Sequence, residues 1–159
     1  MTEVTALQEE DARYLIFRVN QELYGAPLLG IREVIEPQAT KPIPNTVSFF
    51  NGVINLRGQV VGVIDLRKKF GYPPVEHPRN VVVVFDTEAG PLGALVDEID
   101  GVARIPSVDV ETGAVVRSFV PPEFLIGIGK QEGRLVSLIQ FHALLGSEEL
   151  RGIAGLARD

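Results

Sequence analysis

Gly52-Val53-Ile54-Asn55-Leu56-Arg57-Gly58, followed directly by Gln59-Val60-Val61-Gly62-Val63-Ile64-Asp65-Leu66-Arg67-Lys68-Lys69-Phe70-Gly71, is one half of an internal repeat. The other half is Gly127-Ile-Gly-Lys-Gln-Glu-Gly133 and then Arg134-Leu-Val-Ser-Leu-Ile-Gln-Phe-His-Ala-Leu-Leu-Gly146, displaced by 75 residues without a gap. Gly52 aligns with Gly127, Gly58 with Gly133, Val61 with Val136, Ile64 with Ile139 and Gly71 with Gly146. Each copy predicts a strand, a glycine turn, a second strand and a short helix. Asp65 is the expected cap of a helix reaching Phe70, and Gln140 to Leu145 is the matching turn of the second copy.

Working outward, the upstream halves correspond as well. Tyr14 to Phe17 and Tyr24-Gly25-Ala26 answer Val81 to Val84 and Leu92-Gly93-Ala94, and Ile31 and Val34 fall against Ile99 and Val102. Residues 13–71 and 80–146 therefore read as two copies of one small β unit. Short β-branched and aromatic runs, with eleven prolines and sixteen glycines between them, argue for an all-β fold and against a helical bundle. A unit of roughly 60 residues buries too little surface to be stable alone. Two copies packed side by side share a further apolar interface and leave a groove between them, and closure of each sheet removes exposed edge. Tyr72-Pro-Pro-Val-Glu-His-Pro78 reads as a stiff connector, residues 1–12 as a disordered acidic tail, and 151–159 as a C-terminal tail after a helical stretch beginning near Ser147.

Composition removes several function classes. The chain has 159 residues, a net charge of −6 and no cysteine. Disulfides, thiolate-bound zinc and thiol catalysis are thereby excluded. Glu3, Glu9, Glu10 and Asp11 put −4 on the first twelve residues and leave −2 for the rest, which is no field for nucleic acid or an anionic membrane. No run of about 18 apolar residues exists, and the start lacks the basic and apolar sections of a signal peptide. A cytoplasmic protein without membrane insertion is expected.

No catalytic or cofactor signal emerges. Of the two histidines, His77 lies in the connector and His142 aligns with Arg67, an ordinary surface position. No metal-ligand spacing or Gly-x-Ser-x-Gly elbow is present. Asp97, Glu98 and Asp100 read as solvated acids of a turn, since adjacent strand residues face opposite ways. Gly127-Ile-Gly-Lys130 lacks the spacing of a phosphate loop and reads as hairpin. A single-strand nucleic-acid binder would need aromatics interleaved with Lys and Arg, whereas here the aromatics lie within apolar runs. The expectation is a binding protein, with no catalytic residues, metal or cofactor.

Phe50-Asn-Gly-Val-Ile-Asn-Leu-Arg-Gly58, continuing through Val60 to Phe70, resembles the CheW family. Tyr24-Gly25, Ile31-Arg-Glu-Val34, Leu92-Gly-Ala-Leu-Val-Asp97, Ile99-Asp-Gly-Val102, Leu125-Ile-Gly-Ile-Gly129 and Leu135 to Leu145 follow in the family's order, so the resemblance covers about 13–150. It implies two pseudo-symmetric SH3-like five-stranded barrels with short helices and a C-terminal helix. It also implies a non-enzymatic cytoplasmic adaptor at membrane receptor arrays. Its partners would be the chemoreceptor cytoplasmic tip and the regulatory domain of a CheA-type histidine kinase. The same role in a non-chemotactic receptor–kinase pathway, serving pili or development, is the alternative. One departure is Gly62, where the family usually has proline; it bears on local rigidity.

The resemblance also implies site residues. Ile31, Gly93, Ile99 and Val102 match positions of receptor contact. They either line the groove or belong to barrel core, with Gly93 permitting close backbone approach. Glu33 and Arg57 match charged positions important for coupling; they are either a partly buried pair near the barrel junction or two unrelated surface charges. In Ala114 to Val120, Val115, Val116 and Phe119 form an apolar loop that is a candidate kinase-facing surface or a flap over the second barrel.

Overall fold

The computed structural model describes residues 12–44, 46–75, 80–112 and 124–145. The expected acidic tail, C-terminal helix, His77 and the loop with Val115, Val116 and Phe119 lie outside them. The described residues form eleven strands: β1 Arg13–Val19, β2 Glu22–Pro27, β3 Ile31–Ile35, β4 Phe50–Leu56, β5 Gln59–Asp65, β6 Val81–Thr87, β7 Gly90–Val96, β8 Glu98–Arg104, β9 Val110–Glu111, β10 Leu125–Gln131 and β11 Arg134–Ile139. One short helix, α1 Leu66–Lys69, and two 3-10 turns, Ser107–Asp109 and Phe141–Ala143, complete them.

The strands form two sheets. One runs β8-β1-β2-β11-β10-β9, the other β3-β6-β7-β5-β4. The order is the same in both once β8 is set against β3, β1 against β6, β2 against β7, β11 against β5 and β10 against β4. Even the short β9 has a counterpart, because Lys41 bridges Val53 on the free side of β4. The sixth strand of the first sheet is thus a lengthened version of a single bridge. The all-β class and short helices agree with the sequence reading.

Two compact units carry these sheets, and they are not the two sequence copies. Among the described residues, the first unit joins residues 12–30 with those from Ile99 to Leu144; the second takes those from Ile31 to Glu98 and Leu145. The reason lies in pairing. β2 runs parallel to β11 of the other copy, Tyr24 beside Ser137, and β7 runs parallel to β5, Gly62 beside Leu92. Each unit therefore takes its leading hairpin from one copy and its closing hairpin from the other.

Local chemistry sets the turns. Arg57 and Gly58 have φ of 51° and 86°, and Glu132 and Gly133 have 51° and 76°. Positive φ at both central residues makes two-residue hairpin turns whose twist suits antiparallel strands. Asn55 Oδ1 accepts the Gly58 N–H at 2.8 Å. Both hairpins also carry a bulge at their first glycine, between Phe50 and Gly52 and between Leu125 and Gly127. A Cβ on Gly52 would lie 2.5 Å from the Lys41 carbonyl oxygen, and one on Gly127 2.5 Å from that of Glu111. The repeated glycine leaves room for the segment that crosses the edge strand.

Packing follows the alternation of strand residues. In the second unit Ile54, Val61, Val63, Val82, Val84 and Leu95 form a buried cluster, flanked by Ile35 and Leu56. In the first unit Ile16, Ile105, Val136 and Leu138 do so, flanked by Tyr14, Leu23, Ala103, Val110 and Ile126. Asp65 accepts backbone bonds from Arg67 at 2.9 Å and Lys68 at 3.4 Å, which starts α1. Gln140 makes no such side-chain bond, and the matching segment is only a 3-10 turn.

Candidate partner-binding surface

The edge strand β3 alternates half-buried and exposed positions: Ile31, Glu33 and Ile35 against Arg32 and Val34. Ile35 packs on the core cluster, so Glu33, two residues away, leaves the same face nearer the rim. Opposite it stands the tip of the β4–β5 hairpin. The Arg57 guanidinium donates to Glu33 Oε2. β3 and β4 are the two edges of the five-stranded sheet, so this pair joins the edges and marks the sheet as curled into a barrel.

The two residues form a pair in which Glu33 is partly buried and Arg57 stands in water. The Arg57 side chain is 69% exposed and that of Glu33 30%. The cause is the turn, which places residue 57 at the hairpin tip. The hydrogen bond that Arg57 donates to Glu33, and the charge of that carboxylate, hold the Arg57 pKa above the ordinary arginine value. Such a pair contributes little to stability in water but presents a positioned guanidinium.

The four expected receptor-contact residues fall into three environments. Ile31 and Ile99 are half-buried starts of β3 and β8. Val102 is 57% exposed and Val34, its repeat counterpart, 41%. Val102 is thus a surface residue and not barrel core. Gly93 is buried, and the space beside it belongs to the second unit's own core. A Cβ there would meet Val82 Cγ1 at 2.7 Å and Val63 Cγ2 at 3.4 Å. The close approach that Gly93 permits is by valines of its own barrel.

The acids read as solvated are paired. Asp97 holds Arg67 in a two-pronged contact, Nε to Oδ1 at 3.2 Å and Nη2 to Oδ2 at 2.7 Å, with side chains only 20% and 14% exposed. Arg67 also donates to the Pro73 carbonyl at 3.0 Å, tying α1, the end of β7 and the connector together. Asp100 accepts from Arg134 at 3.0 and 3.4 Å and lies 3.5 Å from Arg18. These contacts, Arg134 foremost, hold the Asp100 carboxyl below its ordinary pKa. Sequence reading missed them because the partners sit 30 and 34 residues away. His142 is exposed on its 3-10 turn. Among the described residues no group of His, Asp or Glu is arranged to hold a metal, and no helix is long and apolar enough to cross a membrane.

Comparison with known proteins completes the description. The CheW-like domain family matches residues 13–149. The chemotaxis protein CheW of Klebsiella aerogenes is 32% identical over 146 residues, covering 91% of this chain and 88% of that protein. Protein FrzA of Myxococcus xanthus is 27% identical over 162 residues, covering 95% and 96%. Among solved structures, the scaffolding protein TtCheW of Thermoanaerobacter tengcongensis superposes with a TM-score of 0.78 at 27% identity, over 87% of this chain and 95% of that one. With the same all-β architecture and a family match across nearly its whole length, the chain belongs to the CheW family.

Proposed function

We propose that this protein is an adaptor with no reaction of its own, coupling the cytoplasmic tips of chemoreceptors to the regulatory domain of a CheA-type histidine kinase. Its place would be the cytoplasm, beside membrane receptor arrays. The family match over residues 13–149 carries this reading. The geometry supports it with surface features suited to association. Arg57 stands exposed and oriented by Glu33, while Val102 and Val34 are exposed apolar side chains on edge strands. In this reading Ile31, Ile99 and Val102 touch the receptor, and Glu33 holds Arg57 toward it. Gly93 acts from beneath, by letting Val82 pack. Val115, Val116 and Phe119 face the kinase. Exposed apolar side chains and an oriented charge are features that suit a helical hairpin, which offers apolar residues at helical spacing.

Similarity to FrzA supports a second reading, the same adaptor role in a non-chemotactic receptor–kinase pathway. One experiment separates the possibilities. The purified protein is offered the regulatory domain of a CheA-type kinase and, separately, receptor-tip fragments from the same organism, as wild type, Glu33→Ala and Arg57→Ala. Capture of both partners, with receptor capture weakened in both variants, is the expected outcome. Capture of a kinase and receptors of another pathway selects the second reading. A folded wild type that captures neither class removes both.

A further inference from the structure

We propose that two copies of this chain can exchange their N-terminal hairpins, residues 12–30, giving a dimer in which each first unit is completed by the other chain. The contacts that hold this hairpin are with residues 99–144. β2 pairs with β11, and β1 lies beside β8. Phe17 stacks on Phe141 at 5.6 Å, and the Ile105 N–H donates to the Ala12 carbonyl at 2.9 Å. Arg18 reaches Asp100. Gly25 packs tightly against this unit, since a Cβ would lie 2.9 Å from Leu138 Cδ2 and 3.2 Å from Val136 Cγ1. Yet the hairpin's covalent continuation leads elsewhere, through Leu28-Leu29-Gly30 into the second unit.

An identical hairpin from another chain would make every one of these contacts, so exchange costs little beyond association itself. The hinge is built to allow it. Leu29 is 80% exposed, and Gly30 has a φ of 97° with open space where a Cβ would stand. A few such residues are enough to absorb the change of direction. The order of synthesis adds an opportunity. All strands of the second unit lie between Ile31 and Glu98, so the hairpin waits for β8 to β11 before it can dock. Pairings at long sequence separation form slowly, and a waiting hairpin is open to capture by a neighbour. The inference does not depend on the adaptor reading. For an adaptor, it would place two Glu33–Arg57 surfaces on one particle and raise avidity.

The absence of cysteine makes the test clean. Two differently tagged chains each receive one thiol, Tyr24→Cys in one and Ser137→Cys in the other, at positions paired across β2 and β11. They are mixed, unfolded, refolded together at low micromolar or near-millimolar concentration, and oxidised. A mixed disulfide whose share rises about tenfold or more with concentration is expected. A second pair, lacking Leu29 and Gly30, should form it already at low concentration. Should that deletion fail to fold, the intact-hinge pair decides alone. The proposal is overturned if refolded intact-hinge chains give no mixed disulfide at near-millimolar concentration. It is equally overturned if a control pairing of Tyr24→Cys with Gln59→Cys, at the exposed start of β5 in the second unit, cross-links as well.

Discussion

In the second unit, β3 and the tip of the β4–β5 hairpin are joined by Glu33 and Arg57. In the first unit, β8 and the start of β11 are joined by Asp100 and Arg134, at neighbouring and not identical repeat positions. The first unit adds Arg18 to the same carboxylate, and Gln131 accepts from Arg134 at 2.7 Å. Arg134 is 35% exposed where Arg57 is 69%. Each unit thus ties one edge strand to a hairpin tip with a carboxylate and an arginine. One closure is enclosed in a network, while the other leaves a single oriented guanidinium facing water. A duplicated fold has kept one task in both copies and left the arginine of one copy far more exposed than that of the other.

The largest test of this comparison lies in the cores. Leu138 packs beside Gly25 and Gly129 and ties the N-terminal hairpin to the rest of the first unit. Leu138→Ala should cost about 2–5 kcal/mol by urea denaturation. If the two units unfold separately, only one of two transitions should move.

Next come the paired glycines. Gly93→Ala drives a methyl group against Val82 Cγ1 at 2.7 Å, and valine has little freedom to turn away. About 1–3 kcal/mol should be lost. Gly25→Ala meets the far end of Leu138, which can shift, and should cost less in the same assay. Equal losses would refute the claim that side-chain stiffness distinguishes the two sites. If Gly93→Ala weakens partner binding, it should do so in proportion to lost stability.

Smaller again is the cap. Asp65→Ala removes the acceptor for two backbone N–H groups of α1 and should cost about 1 kcal/mol. Gln140→Asp places a cap on the other copy and should stabilise the Phe141–Ala143 turn, read as slower amide exchange there.

The smallest effects on stability belong to the edge pairs, where function is expected to part from folding. Arg57→Ala should move the thermal midpoint by no more than about 2 °C while weakening receptor capture. Asp100 has a folded pKa below its unfolded value, so its contribution is present above about pH 3.9 and lost as acid protonates it in the fold. Asp100→Asn should therefore lower stability slightly at neutral pH, leave strongly acidic pH almost unchanged, and so flatten the acid side of the stability profile. A shift at neutral pH comparable with Gly93→Ala would show that the network does more than close an edge.

Much of this was legible before any coordinates. The ungapped repeat placed β4, β5, β10 and β11, and glycines 58 and 133 fell in the hairpin turns. Asp65 was readable as a cap because its partners are two and three residues away. Glu33 and Arg57 were singled out through resemblance; their contact spans 24 residues, and no local pattern encodes it. The pairing of Asp97 with Arg67 and of Asp100 with Arg134 escaped for the same reason. Gly93 was legible as special, but whether a partner or Val82 occupies the space beside it depends on which strand lies next to it.

The sequence by itself determined most strands, the hairpin turns, the Asp65 cap and the duplication, because these rest on backbone preferences and contacts a few residues apart. Only the tertiary structure decided that β1 and β2 complete the unit made by β8 to β11, while β6 and β7 join β3 to β5. The two hairpins are so alike in alternation and length that either barrel could accept either by pattern alone. The choice falls to side-chain fit and to the energy of joining strands far apart in the chain, which no stretch of sequence carries on its own.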